Sequence, residues 1–356
     1  PDQVPAYPRP MMVRSPVSWQ HLNGVWEADI NATDLDSPPF GRTLPSSILV
    51  PFPPESPLSG IRQLPSQCRM WYRRTFAAIP CAGGNVLLHF EAVDWNTTAY
   101  VNGKWVGNHV GGYDEFTFDI TEALAGTAEG AATHELLVGV YDPTEGTITH
   151  AAPHGLTPMV RGKQRRGAMM PGIPIVGDFY TSTTGIWGTV WQECVPASAS
   201  IESVVPMPLD DLSGFTIEAE VRSKLGAVAG LNLQVTLSSS GQPGCAQTTR
   251  QQAVRGSLTT VELQLAPACR RLWSPRSPFL YNLTLSLQSS AGTIDTVTSY
   301  AGLRIYTVGD DGKGTVRPLL NGQPLYQMAA LDQGFWPGES FPYSLADVVA
   351  RTKLVL

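Results

Sequence analysis

Apolar residues recur along this chain with a period of two. Phe215-Thr-Ile-Glu-Ala-Glu-Val221, Leu231-Asn-Leu-Gln-Val-Thr-Leu237 and Val261-Glu-Leu-Gln-Leu265 alternate apolar with polar positions. That alternation marks β-strands with one face in a core and the other in water. Val86-Leu-Leu-His-Phe90, Thr98-Ala-Tyr-Val101, Glu135-Leu-Leu-Val-Gly-Val-Tyr141 and Thr189-Val-Trp-Gln192 are β-branched or aromatic runs and also read as strands. Gly83-Gly84, Asn102-Gly103, Gly111-Gly112 and Gly241-Gln-Pro-Gly244 punctuate them as turns. Val101-Asn-Gly-Lys-Trp105 predicts a hairpin, because Asn-Gly accepts the positive φ angles of a type I′ turn. The one convincing helix start is late, at Ser344, with apolar positions at helical spacing through Leu356.

Length and composition narrow the class. The chain has 356 residues, room for two or three domains at roughly 100–200 residues each. Hydrophobic residues make up 42%, enough for globular cores. Glycine (34) and proline (30) are in excess over their usual share of roughly 12%, as many turns and short strands require. The net charge of -6 argues against nucleic acid or an anionic membrane surface, which need a clustered basic face. The one basic run, Arg161 to Arg166, is short. No apolar run approaches the roughly 18 residues that cross a bilayer.

The chain opens Pro1-Asp2-Gln3, so any signal peptide has been removed or lies outside it. Asn31, Asn96 and Asn282 each begin an Asn-x-Ser/Thr sequon and are candidate glycosylation sites. Cys68, Cys81, Cys194, Cys245 and Cys269 are widely spaced, with no zinc-like pattern. They read either as buried thiols or as one or two disulfides with a thiol left over. With the sequons, they set the expectation of an extracellular or secretory-pathway protein. Cys245 and Cys269 are equidistant from a turn at Arg255-Gly-Ser257. A hairpin centred there places them opposite each other, within disulfide reach. Cys68 and Cys81 flank a single strand and are not expected to pair.

The order of motifs resembles a known family. Trp19-Gln-His-Leu-Asn-Gly-Val-Trp26 comes first, then Val50-Pro-Phe-Pro-Pro-Glu-Ser-Pro-Leu-Ser-Gly-Ile61, Trp71-Tyr-Arg-Arg-Thr-Phe76 and His89-Phe-Glu-Ala-Val-Asp-Trp95. Gly111-Gly-Tyr-Asp-Glu-Phe-Thr-Phe-Asp-Ile120, Arg161-Gly-Lys-Gln164 and Thr184-Gly-Ile-Trp-Gly-Thr-Val-Trp191 follow. This set is similar to the sugar-binding jelly roll of family 2 glycoside hydrolases, the β-galactosidase and β-glucuronidase group. Leu272-Trp-Ser-Pro-Arg-Ser-Pro-Phe-Leu-Tyr281 resembles that family's immunoglobulin-like domain. Leu320-Asn-Gly-Gln-Pro-Leu-Tyr326 and Leu331-Asp-Gln-Gly-Phe-Trp336 resemble the entry to its catalytic barrel. The resemblance implies an all-β chain: a jelly-roll sandwich at 1–196, an immunoglobulin-like sandwich at 197–306, and at 307–356 the first strand and helix start of a truncated (β/α)8 barrel.

Most of the motif residues also have a structural reading. Trp71, Tyr72, Trp187 and Trp191 suit a sandwich core, Trp273 suits a domain junction, and Asp94 suits backbone capping. Retaining glycosidases need two carboxylates about 5–5.5 Å apart. In the family these lie on later barrel strands, and a full barrel takes about 250 residues. The resemblance therefore implies no catalytic residue in this chain. It assigns substrate-facing roles to Glu55, Arg161, Lys163, Asp332, Gln333 and Trp336. For Glu55 and Arg161, a solvated or interdomain ion pair is an equal reading. No cofactor or metal is implied. The expected partner is a β-linked glycan, with a catalytic barrel or another protein as a second partner. The expected function is the non-catalytic front of a glycosidase. The alternative is a secreted carbohydrate-binding or matrix protein derived from one.

Overall fold

A computed structural model describes residues 7–14, 19–63, 65, 67–125, 133–142, 183–223, 228–239, 245 and 248–328. The described chain is almost entirely β-structure. The strands up to the first change of core are β1 (Val13–Arg14), β2 (Trp19–His21), β3 (Gly24–Asp29), β4 (Ser46–Val50), β5 (Arg69–Phe76), β6 (Gly84–Phe90), β7 (Val93–Asp94), β8 (Asn96–Val101), β9 (Lys104–Val110), β10 (Phe116–Asp119), β11 (His134–Tyr141), β12 (Gly185–Ile186) and β13 (Val190–Pro196). After it come β14 (Ala199–Pro208), β15 (Gly214–Ser223), β16 (Asn232–Ser238), β17 (Thr248–Ala253), β18 (Leu258–Gln264), β19 (Tyr281–Ser289), β20 (Gly292–Ala301), β21 (Tyr306–Asp310), β22 (Val316–Leu320) and β23 (Gln323–Pro324).

Two sheets form the first sandwich, in the orders β4-β3-β5-β11-β8-β9 and β10-β6-β13-β2. Alternate residues of each sheet meet in one core, including Trp26, Met70, Tyr72, Phe90, Val138 and Val190. The second sandwich pairs β1-β20-β19-β16-β17 with β14-β15-β18. Its core holds Phe215, Leu233, Val235, Leu285 and Val297 among others. Each of the three alternating runs read from the sequence falls on one of its strands. The Asn-Gly hairpin joins β8 to β9, with Asn102 at φ 51 and Gly103 at φ 77.

The segment Val13–Arg14 pairs with Thr298 and Val297 of β20 in the second sandwich, whereas Tyr7 just before it packs on Trp19 and Trp191 of the first. Arg14 is buried there and bonds Asp295 of β20 and the Ile201 carbonyl, with Glu193 of β13 3.9 Å away. Glu193 also lies 3.2 Å from His89 and accepts from the Tyr7 hydroxyl at 3.1 Å. Burial raises the Glu193 carboxyl, but His89, Arg14 and Arg9 outweigh it and hold it below the usual carboxylate range. Burial keeps His89 below the usual imidazole value. Beside this junction lies a cleft of about 460 Å³, lined in part by Asn85, Glu122, Arg222 and Ser223.

Cys81–Cys194 and Cys245–Cys269 are disulfides, and Cys68 is a buried thiol. The expected Cys245–Cys269 pair is present, but the expected hairpin is not. β17 is bonded to β16 and β18 to β15, in opposite sheets. The chain crosses between sheets after Val254, whose amide bonds the Leu231 carbonyl. Leu233, Val235, Val261 and Leu263 need facing sheets to bury, and that requirement overrides a local ladder. Beyond the second sandwich, β21, β22 and β23 form a small antiparallel sheet. Trp273 sits between the two, with Arg304 stacked on its ring at 4.1 Å and its carbonyl accepting from Asn321.

Candidate functional site

Glu55 is the one predicted substrate-facing residue within the described part of the chain. Arg161, Lys163, Asp332, Gln333 and Trp336 lie outside the described residues. The Pro-rich loop that carries Glu55 is folded on itself. Ser56 caps the short turn Pro57–Ser59, and Gly60 closes it at φ 83, a left-handed angle suited to glycine. The Gln63 amide bonds back to the Pro54 carbonyl at 2.9 Å. The loop thereby holds the Glu55 carboxylate against the chain that enters β12.

There Glu55 Oε2 accepts from the Thr184 amide at 3.3 Å, while Oε1 is buried with no hydrogen-bond partner. Tyr72, fully buried on β5, accepts from the Ile186 amide at 3.3 Å. Gly185 is obligatory: its φ is 76, and a Cβ there would stand 2.0 Å from the Tyr72 hydroxyl. Trp187 donates its indole N–H to the Gly112 carbonyl at 2.8 Å and packs edge-on against Tyr113. Gly112 in turn leaves room for Asp94, whose carboxylate lies 2.6–2.8 Å from where a Cβ would be. Asp142, buried at the end of β11, bonds through its amide to the Cys68 carbonyl at 2.9 Å.

Three carboxylates, Glu55, Asp94 and Asp142, and two phenols, Tyr72 and Tyr113, thus gather around residues 183–188. Burial pushes Glu55 up to about 8, and the Asp142 charge adds to it. Burial also raises Tyr72, and it pushes Tyr113 up to about 12 with help from Asp94 and Asp142. At neutral pH Glu55 is therefore mostly a neutral acid, able to donate a hydrogen bond as well as accept one. No group of three or more metal-ligating side chains occurs among the described residues.

The sequence reading singled out Glu55 but neither Asp142 nor Tyr113, which the fold brings beside it. The available signal for Asp142 was its place at the end of a strongly apolar strand, before Pro143. Trp71, Tyr72, Trp187 and Trp191 are all buried, Tyr72 in the sandwich core and Trp71 in a smaller cluster outside it. Of the sequon residues, Asn31 and Asn282 are exposed and Asn96 is half-buried at the start of β8.

Residues 200–304 match the model of Glycosyl hydrolases family 2. This chain is a relative of the family 2 glycosyl hydrolases. The "Beta-galactosidase" of Thermoanaerobacter pseudethanolicus is 25% identical over 275 residues, covering 77% of this chain and 32% of that protein. The "Beta-glucuronidase" of Bacteroides fragilis is 23% identical, covering 68% and 32% respectively. Among solved structures, the β-glucuronidase from Ruminococcus gnavus in complex with D-glucaro-d-lactam superposes with a TM-score of 0.59 at 19% identity. That match covers 90% of this chain and 50% of the other. A family 2 member from Bacteroides cellulosilyticus gives 0.58 at 18% identity, over 86% and 38%. The chain therefore spans about a fifth to a third of the curated proteins it matches and half or less of these solved chains.

Proposed function

We propose that this chain is the non-catalytic N-terminal portion of a β-galactosidase- or β-glucuronidase-like glycoside hydrolase. In this reading the first sandwich is the sugar-binding jelly roll and the second is the immunoglobulin-like module. Residues 307–356 enter the catalytic barrel. Coverage carries the proposal: about 90% of this chain superposes on about half of a β-glucuronidase. The catalytic carboxylates then belong to the remaining half. Glu55, Arg161, Lys163, Asp332, Gln333 and Trp336 shape the sugar pocket from this side. Two disulfides favour an extracellular or secretory setting.

The test is turnover of 4-nitrophenyl β-galactoside and β-glucuronide by the purified chain. The expected rate equals the protein-free blank. Turnover above the blank that Glu55→Gln or another single change in this chain abolishes overturns the proposal.

A further inference from the structure

The outer face of the six-stranded sheet carries an aromatic row that the pocket does not use. Register fixes its members. Leu137 of β11 faces Tyr100 of β8, and Tyr100 faces Trp105 of β9. Facing residues in antiparallel strands share one side of the sheet, and neighbouring strands are about 4.8 Å apart. At the inner end of the row, Leu137 and Trp71 are sealed under Ala32, Leu35 and Leu44, a small second core outside the main one. Tyr100 leans on this core, with Trp71 at 6.3 Å and Phe40 edge-on at 5.4 Å. At the outer end the row opens. Phe40 is 40% exposed and Trp105 60% exposed.

One step along the strands, about 6.6 Å away at two residues, Thr98 faces Asn108 on the same side. An aromatic row therefore runs beside a row of one hydroxyl and one amide. Both rows are neutral on β8 and β9. Lys104 donates to the Glu122 carbonyl and Arg73 is bound by Glu27 and Glu135, while the exposed Arg42 follows Phe40 by two residues at the rim. A register shift between Ala99 and Tyr100 marks a bulge at this point of the edge strand. Bulges commonly re-aim a side chain, and this one lies beside Trp105.

We infer that this shelf binds a neutral β-linked glycan chain, at a place separate from the Glu55 cluster. The place of the shelf is independent of the function proposed above, whereas the choice of a β-linked glycan rests on it. The C–H face of a pyranose matches an exposed indole, and its equatorial hydroxyls match the Asn108 amide and the Thr98 hydroxyl. Size decides against a protein partner. A covered aromatic side chain buries about 150–250 Å², so three partly exposed rings offer roughly 300 Å². A stable protein interface needs about 800 Å² per partner. Neither row on β8 and β9 carries a charged side chain, which favours a neutral ligand.

The experiment is titration of the full chain with cellohexaose and with β-1,4-galactotetraose, read by calorimetry and tryptophan fluorescence. Protein made without N-glycosylation is used, because Asn96 lies on the same sheet face. Saturable binding of at least one glycan is expected. Trp105→Ala weakens it at least tenfold and Trp105→Phe less than fivefold. Asn108→Ala weakens it severalfold, and none of the three shifts the melting temperature. Glu55→Gln leaves binding unchanged. Three results overturn the inference: no saturable signal with either glycan, binding lost in Glu55→Gln but kept in Trp105→Ala, or a concentration-dependent dimer that Trp105→Ala disperses.

Discussion

The second sandwich fills its core with aliphatic side chains two residues apart, Leu233, Val235 and Leu237 facing Leu287, Leu285 and Leu283. The first sandwich packs Trp26, Tyr72, Phe90 and Trp191, and buries His89, Gln192 and Glu193 beside them. Aliphatic packing depends on volume alone. A core with buried polar groups depends on every partner being in place. Gln192 shows the requirement: its amide donates to the Ala77 carbonyl at 2.7 Å and to Gln20 at 3.1 Å, and its oxygen accepts from Ile79. The second sandwich is thus a scaffold, whereas the first holds the groups whose charge responds to surroundings.

The largest effect that tests this contrast lies in the disulfides, one per sandwich. Cys81–Cys194 spans 113 residues and Cys245–Cys269 spans 24. Loop-closure entropy alone assigns them about 5 and about 3.5 kcal/mol. Urea unfolding of the two double-alanine variants is expected to rank them in that order. The reverse ranking would show that the first sandwich does not depend on its crosslink. The next effect is at the junction. Arg14→Ala leaves Glu193 and Asp295 buried without their shared cation and is expected to cost about 3–5 kcal/mol. A loss below 1 kcal/mol by the same measurement would mean that the junction relaxes around the gap.

The smallest effect belongs to Glu55. Burial pushes its carboxyl up to about 8, from an ordinary value of 4.5. Between these values the folded state holds a proton that the unfolded state has lost, so stability falls as pH rises through that window. Glu55→Gln imitates the protonated form and removes the slope. Thermal melts are expected to show the variant gaining on the parent from pH 5 to pH 8.5, by about 1–3 kcal/mol at the upper end. Parallel melting curves across this range would place the Glu55 carboxyl in contact with water.

Legibility in the sequence follows the same division. Strands β15, β16 and β18 were readable because one face is wet and the alternation survives in the residues. β11 was readable only as an apolar run: residues on both of its faces are buried, Leu136 and Val138 in the main core and Leu137 in the small one. The Cys81–Cys194 bond joins a loop before β6 to a strand that follows it by more than 100 residues. No local periodicity reports such a distance. The Cys245–Cys269 bond was predicted correctly from a hairpin that does not exist, because symmetry about residue 257 also holds for a corner between sheets. Glu55 stood out through its motif. Its companions Asp142 and Tyr113 did not, because only the fold brings β11 and the loop after β9 to the same end of the sandwich.

The pairing of Val13 with Thr298 has a consequence for the order of biosynthesis. The Thr298 hydroxyl bonds the Val13 carbonyl across 285 residues of sequence. At about 5–20 residues per second, the ribosome emits that distance in roughly 15–60 s. During this interval residues 13 and 14 have no strand to join, and the first sandwich can close behind them. When β20 emerges, its outer edge is unpaired until the waiting arm returns to cover it. Residues 13–14, made long before β20, are then the last to find their place in the second sandwich, and Arg14 arrives with them to join the two halves.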